Sequence, residues 1–352
     1  MSTHTGRTGP LRIMAAVAVV LSFLLPGAVS VAQEVDCSEW ASETLEIMAP
    51  ASPGGGWDTT AREIQRVLQE EGIVENVEVF NVPGAGGTIG LAELVNEHAG
   101  NEHMLMMMGL VMVGGIVLNE SPVDLTQVTP IARLTTEYEV IVVPADSEYQ
   151  TIDELLTAFQ EDPSSISWAG GSAGGTDHLL VGLLAEELGV DPAAINYVPF
   201  SGGGEALSAI LGGETTAGVS GLGEWQAQIE SGELRALAVS GRGAAAPGSA
   251  TPTAGEATPA AFGANIPTLQ EAGYDVELAN WRGFVAPPDI SEEAETCMIQ
   301  ALEQAVQSEA WQTTLETYGW NDFFLAGDAF GAYLQEEHER VTALLSDLGL
   351  TE

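Results

Sequence analysis

The chain has 352 residues, with 51 acidic residues against nine basic ones, and a formal net charge of −42 at pH 7. A chain this acidic lacks the basic surface that phosphate backbones require, so we exclude nucleic acid as a partner. All nine basic residues are arginines. An acidic, lysine-free surface suits high ionic strength, where screening reduces self-repulsion, and we therefore hypothesise a halophilic protein.

The N-terminal segment has the order of a secretory signal. Arg7 and Arg12 precede an apolar run at residues 13–25, and small residues follow as far as Ala32. This run is shorter than the roughly 20 residues that span a bilayer, so we prefer a cleaved signal peptide at residues 1–32 to an uncleaved anchor. We expect an exported protein, located in the periplasm or at the cell exterior.

Two cysteines, Cys37 and Cys297, remain after that cleavage. In an oxidising compartment they are expected to form a disulfide, and the alternative is two unrelated thiols. Neither has a histidine or a second cysteine at ligand spacing, so we expect no metal site. No cofactor motif is found either.

A unit of strand, glycine-rich loop and helix occurs four times, which predicts an α/β fold with parallel strands and crossover helices. The predicted strands are residues 44–51, 77–82, 165–169 and 195–200. The loops are loop 1 (residues 52–58), loop 2 (83–87), loop 3 (170–175) and loop 4 (201–204). The helices are residues 59–71, 88–98, 176–188 and 205–211.

The spacing of these units predicts two lobes. Residues 139–144 and 234–240 are predicted to cross between them, which assigns residues 33–137 and 239–352 to lobe 1 and residues 138–238 to lobe 2. The methionine-rich residues 104–108 predict a buried strand. Residues 243–264 are nearly uncharged and predict a surface loop. Residues 281–286 predict a strand, and residues 292–308 and 329–348 predict helices.

The four loops carry the predicted chemistry. Each ends at a helix start, where unpaired N–H groups and a partial positive charge bind anions, and glycine allows close approach. Together they predict a site for a small carboxylate in the cleft between the lobes, unless the glycines serve only as tight turns. The predicted ligand-binding residues are Ser52, Gly54, Gly55, Gly56, Trp57, Asp58, Gly84, Ala85, Gly86, Gly87, Gly171, Ser172, Gly174, Gly175, His178, Ser201, Gly202, Gly203 and Gly204.

Some roles within this set stay open. Asp58 and Asp177 begin predicted helices, so each either caps its helix or contacts the ligand. Trp57 either walls the cleft or packs in the core of its lobe.

Other functions that glycine loops support fit less well. A Walker loop needs a lysine, and the dinucleotide fingerprint fails because Ile89 stands where its third glycine is required. Loop 3 does match the G-x-S-x-G elbow of serine esterases, with Ser172 as the nucleophile. That alternative lacks a convincing histidine, since His338 lies in a charged helical run and His178 in the helix that follows the elbow. We therefore expect a binding protein and not an enzyme.

The chain resembles the extracytoplasmic receptors of tripartite tricarboxylate transporters. The resemblance rests on Ser-Pro-Gly-Gly-Gly-Trp-Asp at residues 52–58, Pro-Gly-Ala-Gly-Gly at 83–87, Gly-Ser-Ala-Gly-Gly-Thr-Asp-His at 171–178, and the ordered motifs at 200–204, 232–239 and 266–273. It implies a two-lobed periplasmic binding protein of type II, a Venus flytrap with two hinge strands. Each lobe would be a mixed, mostly parallel sheet flanked by helices.

The same resemblance implies a function and partners. The ligand would be a di- or tricarboxylate such as citrate, and the partner a two-component membrane permease that receives it from a monomeric receptor. This chain departs from many relatives at Val82 and Ser201, where they carry a basic residue.

Overall fold

The computed structural model describes residues 1–4, 6, 35–241 and 265–351. From Val35 onward these residues form one compact unit. Residues 7–32 of the predicted signal peptide and the predicted loop at 243–264 lie outside the described residues. Within the described part, no helix combines the length and the apolar character that a membrane crossing requires.

Helices and strands alternate along the described chain. The helices are α1 (Ser38–Ser42), α2 (Gly56–Glu70), α3 (Thr88–Glu97), α4 (Leu110–Leu118), α5 (Ile152–Glu161), α6 (Thr176–Leu188), α7 (Gly203–Leu211), α8 (Gln226–Ser231), α9 (Glu292–Gln307), α10 (Glu309–Tyr318) and α11 (Gly327–Asp347). The strands are β1 (Thr44–Ala49), β2 (Asn76–Asn81), β3 (Met104–Gly109), β4 (Thr129–Pro144), β5 (Ser167–Gly170), β6 (Asn196–Pro199), β7 (Ala217–Gly221), β8 (Leu234–Val239), β9 (Ala279–Ala286) and β10 (Asn321–Ala326).

The long strand β4 belongs to two sheets. Its first part lies beside β9 in the order β2-β1-β3-β9-β4, with β10 on its other side. Its last part lies between β8 and β7, and the second sheet continues to β5 and β6. In each sheet the strands that precede the glycine loops are parallel, and β4 and β9 run antiparallel to their neighbours. The predicted mixed α/β architecture is therefore confirmed.

The strand, loop and helix order of the four predicted units is also confirmed, as β1 with α2, β2 with α3, β5 with α6 and β6 with α7. No sequence pattern predicted α1, α4, α5, α8, α10, β7, β10 or the first part of β4. The boundaries of the two lobes stay a prediction.

Burial follows the periodicity of each element. On α2, Ala61, Ile64, Val67 and Leu68 are fully buried, as their helical spacing predicts. The whole of β3 is buried. On β4, Val140 and Val142 belong to a smaller core while Ile141 and Val143 join the larger one, so this strand is buried on both faces.

A disulfide joins Cys37, just before α1, to Cys297 in α9, with 5.4 Å between the two Cα atoms. It ties the start of the compact unit to a helix 260 residues later in the chain.

Candidate functional site

The four glycine loops surround one cavity of about 580 Å³, a volume within the range of roughly 300–1,000 Å³ that small-molecule sites occupy. The strands β1, β2, β5 and β6 all end at it, as expected for ligand sites at the carboxyl ends of parallel strands. The predicted residues that line it are Ser52, Gly55, Gly56, Trp57, Gly84, Ala85, Gly86, Gly87, Gly171, Ser172, Ser201, Gly202 and Gly203. The predicted residues outside its lining are Gly54, Asp58, Gly174, Gly175, His178 and Gly204.

Loop 1 is held in shape by Asp58. Its carboxylate accepts the N–H of Gly54 at 2.8 Å and pairs with Arg62 at 2.9 Å. Burial opposes ionisation of Asp58, but the hydrogen bonds from Arg62, Gly54 and Asn81 outweigh it, and the pKa of Asp58 lies below its ordinary value. Asp58 therefore braces the loop from behind the cavity wall.

Trp57 takes both roles that the sequence left open. Its side chain lines the cavity and is nonetheless 93% buried in the larger core. A Cβ on Gly87 would stand only 2.7 Å from the indole, so Trp57 fixes the path of loop 2.

Loop 2 packs against α4, a helix that the sequence analysis did not predict. Gly86 has a φ of +64°, and a Cβ there would stand 3.2 Å from the Cα of Gly115. Asn119, at the end of α4, donates to the carbonyl of Ala85 at 3.3 Å and itself lines the cavity. Val111 and Leu118 of α4 also line the cavity, so α4 forms one of its walls.

Loop 3 is fixed by three side chains. Asp177 accepts the N–H of Gly171, and Tyr197 donates its hydroxyl to the carbonyl of the same glycine at 2.9 Å. His178 stacks on Tyr197 with 4.2 Å between ring centroids, and its Nδ1 accepts the N–H of Gly174 at 3.1 Å. Burial lowers the pKa of His178 to about 4, so this imidazole is neutral at pH 7.

Loop 4 begins α7. The N–H of Ser201 donates to Glu205 at 3.2 Å, and the carbonyl of Gly203 accepts the indole N–H of Trp225 at 3.0 Å. Ser201, Gly202 and Gly203 face the cavity from the second sheet.

Charged residues that the sequence analysis did not select form the inner wall. Arg282 of β9 pairs with Glu137 of β4, and its Nη2 lies 3.6 Å from Glu224 in the turn after β7. Arg282 is the single basic side chain among the described residues that line the cavity, and Asp177 and Glu224 are the acidic ones. The sequence does carry a signal for these residues, because Glu137 in β4 and Arg282 in β9 are charged residues within otherwise apolar strands.

Burial shifts the protonation of this acidic cluster. It raises the pKa of Glu137 to about 7 even though Arg282 opposes the change, and that of Asp177 to about 6. Burial and the charges of Asp177 and Glu137 place the pKa of Glu139 well above its ordinary range.

The esterase alternative finds no histidine at Ser172. Within the described chain no histidine forms a hydrogen bond with its hydroxyl, and Nδ1 of His178 already accepts the N–H of Gly174 in loop 3. His338 is exposed on α11. Among the described residues, no three acidic, histidine or cysteine side chains are arranged to hold a metal ion.

A profile of the tripartite tricarboxylate transporter family receptors matches residues 60–350, most of the chain. The chain belongs to this receptor family. Among its relatives is the protein BugT of Bordetella pertussis, which is 25% identical over 91% of this chain and 93% of BugT.

Solved structures share the receptor fold. MatC of Rhodopseudomonas palustris with bound malate superposes with a TM-score of 0.72 at 22% identity, covering 86% of this receptor and 98% of MatC. The R. palustris protein Rpa4515 with adipate gives 0.74 at 20% identity, over 88% of this receptor and 98% of Rpa4515. The receptor thus has the fold of type II periplasmic binding proteins.

Proposed function

We propose that this receptor captures a small carboxylate outside the cytoplasm, in the cavity between the four glycine loops, and delivers it to the permease of a tripartite tricarboxylate transporter. One observation carries the proposal. Loops from two different sheets converge on one cavity, and each either begins a helix or leads into one. Main-chain N–H groups at such positions bind anions without the help of lysine or arginine.

The relatives support the same ligand class. MatC has malate bound and Rpa4515 is solved with adipate, both of them dicarboxylates. The proposal includes export as a monomer, binding without catalysis, and closure of the lobes over the ligand, which would strengthen its hydrogen bonds by excluding water.

Titration calorimetry in molar salt tests binding. The panel contains acetate, succinate, malate, adipate and citrate, and we expect at least one of them to bind with a micromolar or lower Kd. Gly86→Val is expected to abolish that binding because the added side chain strikes α4. Gly331→Ala on α11 serves as a folded control away from the cavity. If none of the five carboxylates bound, or if Gly86→Val bound as tightly as wild type, the proposal would be contradicted.

Two rival functions have their own readouts. Ser172 lies on the cavity wall between β5 and α6, the position that a nucleophile elbow requires. An esterase predicts turnover of p-nitrophenyl acetate that Ser172→Ala removes, and we expect none. A sensing role would replace the permease by a membrane sensor, and capture of the detergent-solubilised partner by the loaded receptor separates the two.

A further inference from the structure

A carboxylate of the protein itself occupies one end of the cavity. Glu224 lies against the start of α2, where a Cβ on Gly56 would stand 2.7 Å from its Oε1. It accepts the hydroxyl of Ser220 at 3.4 Å and lies 3.6 Å from Nη2 of Arg282. A helix N-terminus, a hydroxyl and a guanidinium are the groups that would hold a ligand carboxylate. That anion site is therefore already filled, with 22% of the Glu224 side chain left exposed.

The charge around this position is not balanced. Arg282 also pairs with Glu137, which is 99% buried. Asp177 faces the same cavity, and Glu139 lies behind it. Leaving Glu137 and Glu139 aside, the carboxylates of Glu224 and Asp177 face the single guanidinium of Arg282 in this lining. If a dicarboxylate placed one of its carboxylates here, that group would be repelled at short range by Glu224 and Asp177, which costs free energy in a buried site.

A separate observation indicates what this end lacks. Asn280 of β9 lines the cavity and is 93% buried, yet its Oδ1 accepts no hydrogen bond from any described residue. A buried acceptor without a donor is costly, so a ligand that brings a donor gains affinity here. We call Glu224, Asp177, Asn280, Ser220 and Arg282 the acidic end of the cavity.

Another part of the cavity lining has a different character. Loop 2 and the turn at Ser172 lie against α4, where the lining side chains are Val111, Leu118 and Asn119. These side chains carry no charge, and the turn offers a hydroxyl and main-chain N–H groups. We call this side the amide end. The cavity thus has one end that suits an anion and one that repels it.

We propose that the receptor selects a carboxylate that also carries a cationic group, such as an amino- or ammonium-carboxylate. The cation lies at the acidic end against Glu224 and Asp177, and the ligand carboxylate lies at the amide end. Glu224 is the residue that determines this specificity. The inference rests on the proposed function and narrows its ligand class.

Matched ligand pairs test the inference. The pairs are L-aspartate with succinate, and γ-aminobutyrate with 4-hydroxybutyrate, whose hydroxyl donates without charge. Calorimetry on the wild-type receptor is expected to show at least tenfold tighter binding of the ammonium member in one pair or both. Equal affinity within each pair, or preference for succinate or 4-hydroxybutyrate, would overturn the inference and leave the proposed function standing. Absence of binding by every carboxylate would remove the proposed function itself.

Glu224→Ala provides the complementary test because it vacates the anion site. This variant is expected to bind succinate at least tenfold more tightly than wild type and to lose its preference for aspartate. A gain of affinity cannot arise from misfolding. Glu336→Gln, on the exposed face of α11, removes one charge elsewhere and is expected to keep the wild-type ratio of aspartate affinity to succinate affinity. If that ratio were also unchanged in Glu224→Ala, the assignment of Glu224 would be overturned.

Discussion

Gly114 of α4 packs directly against the main chain of Gly174 in loop 3. A Cβ on Gly114 would overlap the carbonyl oxygen of Gly174, and the next residue, Gly115, makes a similar contact with loop 2. The helix α4 packs with the first sheet, whereas loop 3 follows β5 of the second. This contact between two glycines therefore sets how closely loop 3 approaches loop 2 across the cavity.

Gly114→Ala is expected to weaken carboxylate binding at least tenfold, because the added methyl group pushes loop 3 and Ser172 away from α4. Stability is also expected to fall, because the methyl group meets main chain and the helix preference of alanine over glycine, about 1 kcal/mol, offsets only part of the strain. Calorimetry measures the affinity, and thermal unfolding measures the stability. Gly331→Ala, where a Cβ would contact only the ring of Pro130, is the control. Equal affinity in both variants would show that loop 3 does not need this contact.

The buried carboxyl groups predict an unusual dependence of stability on pH. Glu137, Glu139 and Asp177 all have a pKa raised by burial, so the folded protein binds more protons than the unfolded chain above pH 4.5. Their stabilising contribution is complete below the unfolded pKa and is lost as pH rises through the folded values. The free energy of unfolding is therefore expected to fall between pH 4.5 and pH 7 by at least about 2 kcal/mol, which Glu137 alone would contribute.

Glu139→Gln isolates this effect. Glutamine is uncharged at every pH and has nearly the same shape, so the variant should lose less stability than wild type over that interval. Urea unfolding in molar salt measures it, because the surface charge is then screened in both proteins. Glu336→Gln, exposed on α11, should retain the wild-type slope. Identical slopes in wild type and Glu139→Gln would mean that this carboxyl group does not govern the dependence.

The position of each loop followed from sequence because glycine, a strand end and a helix start are local features. The ion pair of Arg282 with Glu137 did not, since it depends on the antiparallel register that sets Glu137 opposite Asn280. The two residues are far apart in the chain, and hydrophobic periodicity, which is a local pattern, does not predict such a contact. The helix α4 was missed for a related reason. Its sequence is apolar on every side, so it has no helical stripe, and two glycines lower its propensity.

The pair of Arg282 with Glu137 predicts a mutational cycle. Removing Arg282 leaves Glu137 buried without its counter-ion, and breaking a buried pair in this way costs about 3–5 kcal/mol. Arg282→Met is therefore expected to destabilise the receptor strongly at pH 7.5, and the double variant with Glu137→Gln should recover at least half of the loss. Urea unfolding of wild type, both single variants and the double variant measures the coupling. A loss below about 1 kcal/mol in Arg282→Met would show that the pair is dispensable.

The net charge of −42 predicts stabilisation by salt. Fifty-one acidic residues on one chain repel one another, and raising the ionic strength to 1 M shortens the screening length to about 3 Å. The melting temperature is expected to rise by at least about 10 °C between low salt and 1 M sodium chloride, since self-repulsion destabilises the compact state.

Sodium sulfate distinguishes charge screening from the exclusion of salt from the protein surface. If screening dominates, the two salts give similar melting temperatures at equal ionic strength, whereas excluded sulfate would stabilise further at the same value. A melting temperature that stays constant from low to molar sodium chloride would contradict the halophilic hypothesis, because the folded receptor would then tolerate its charge without the salt.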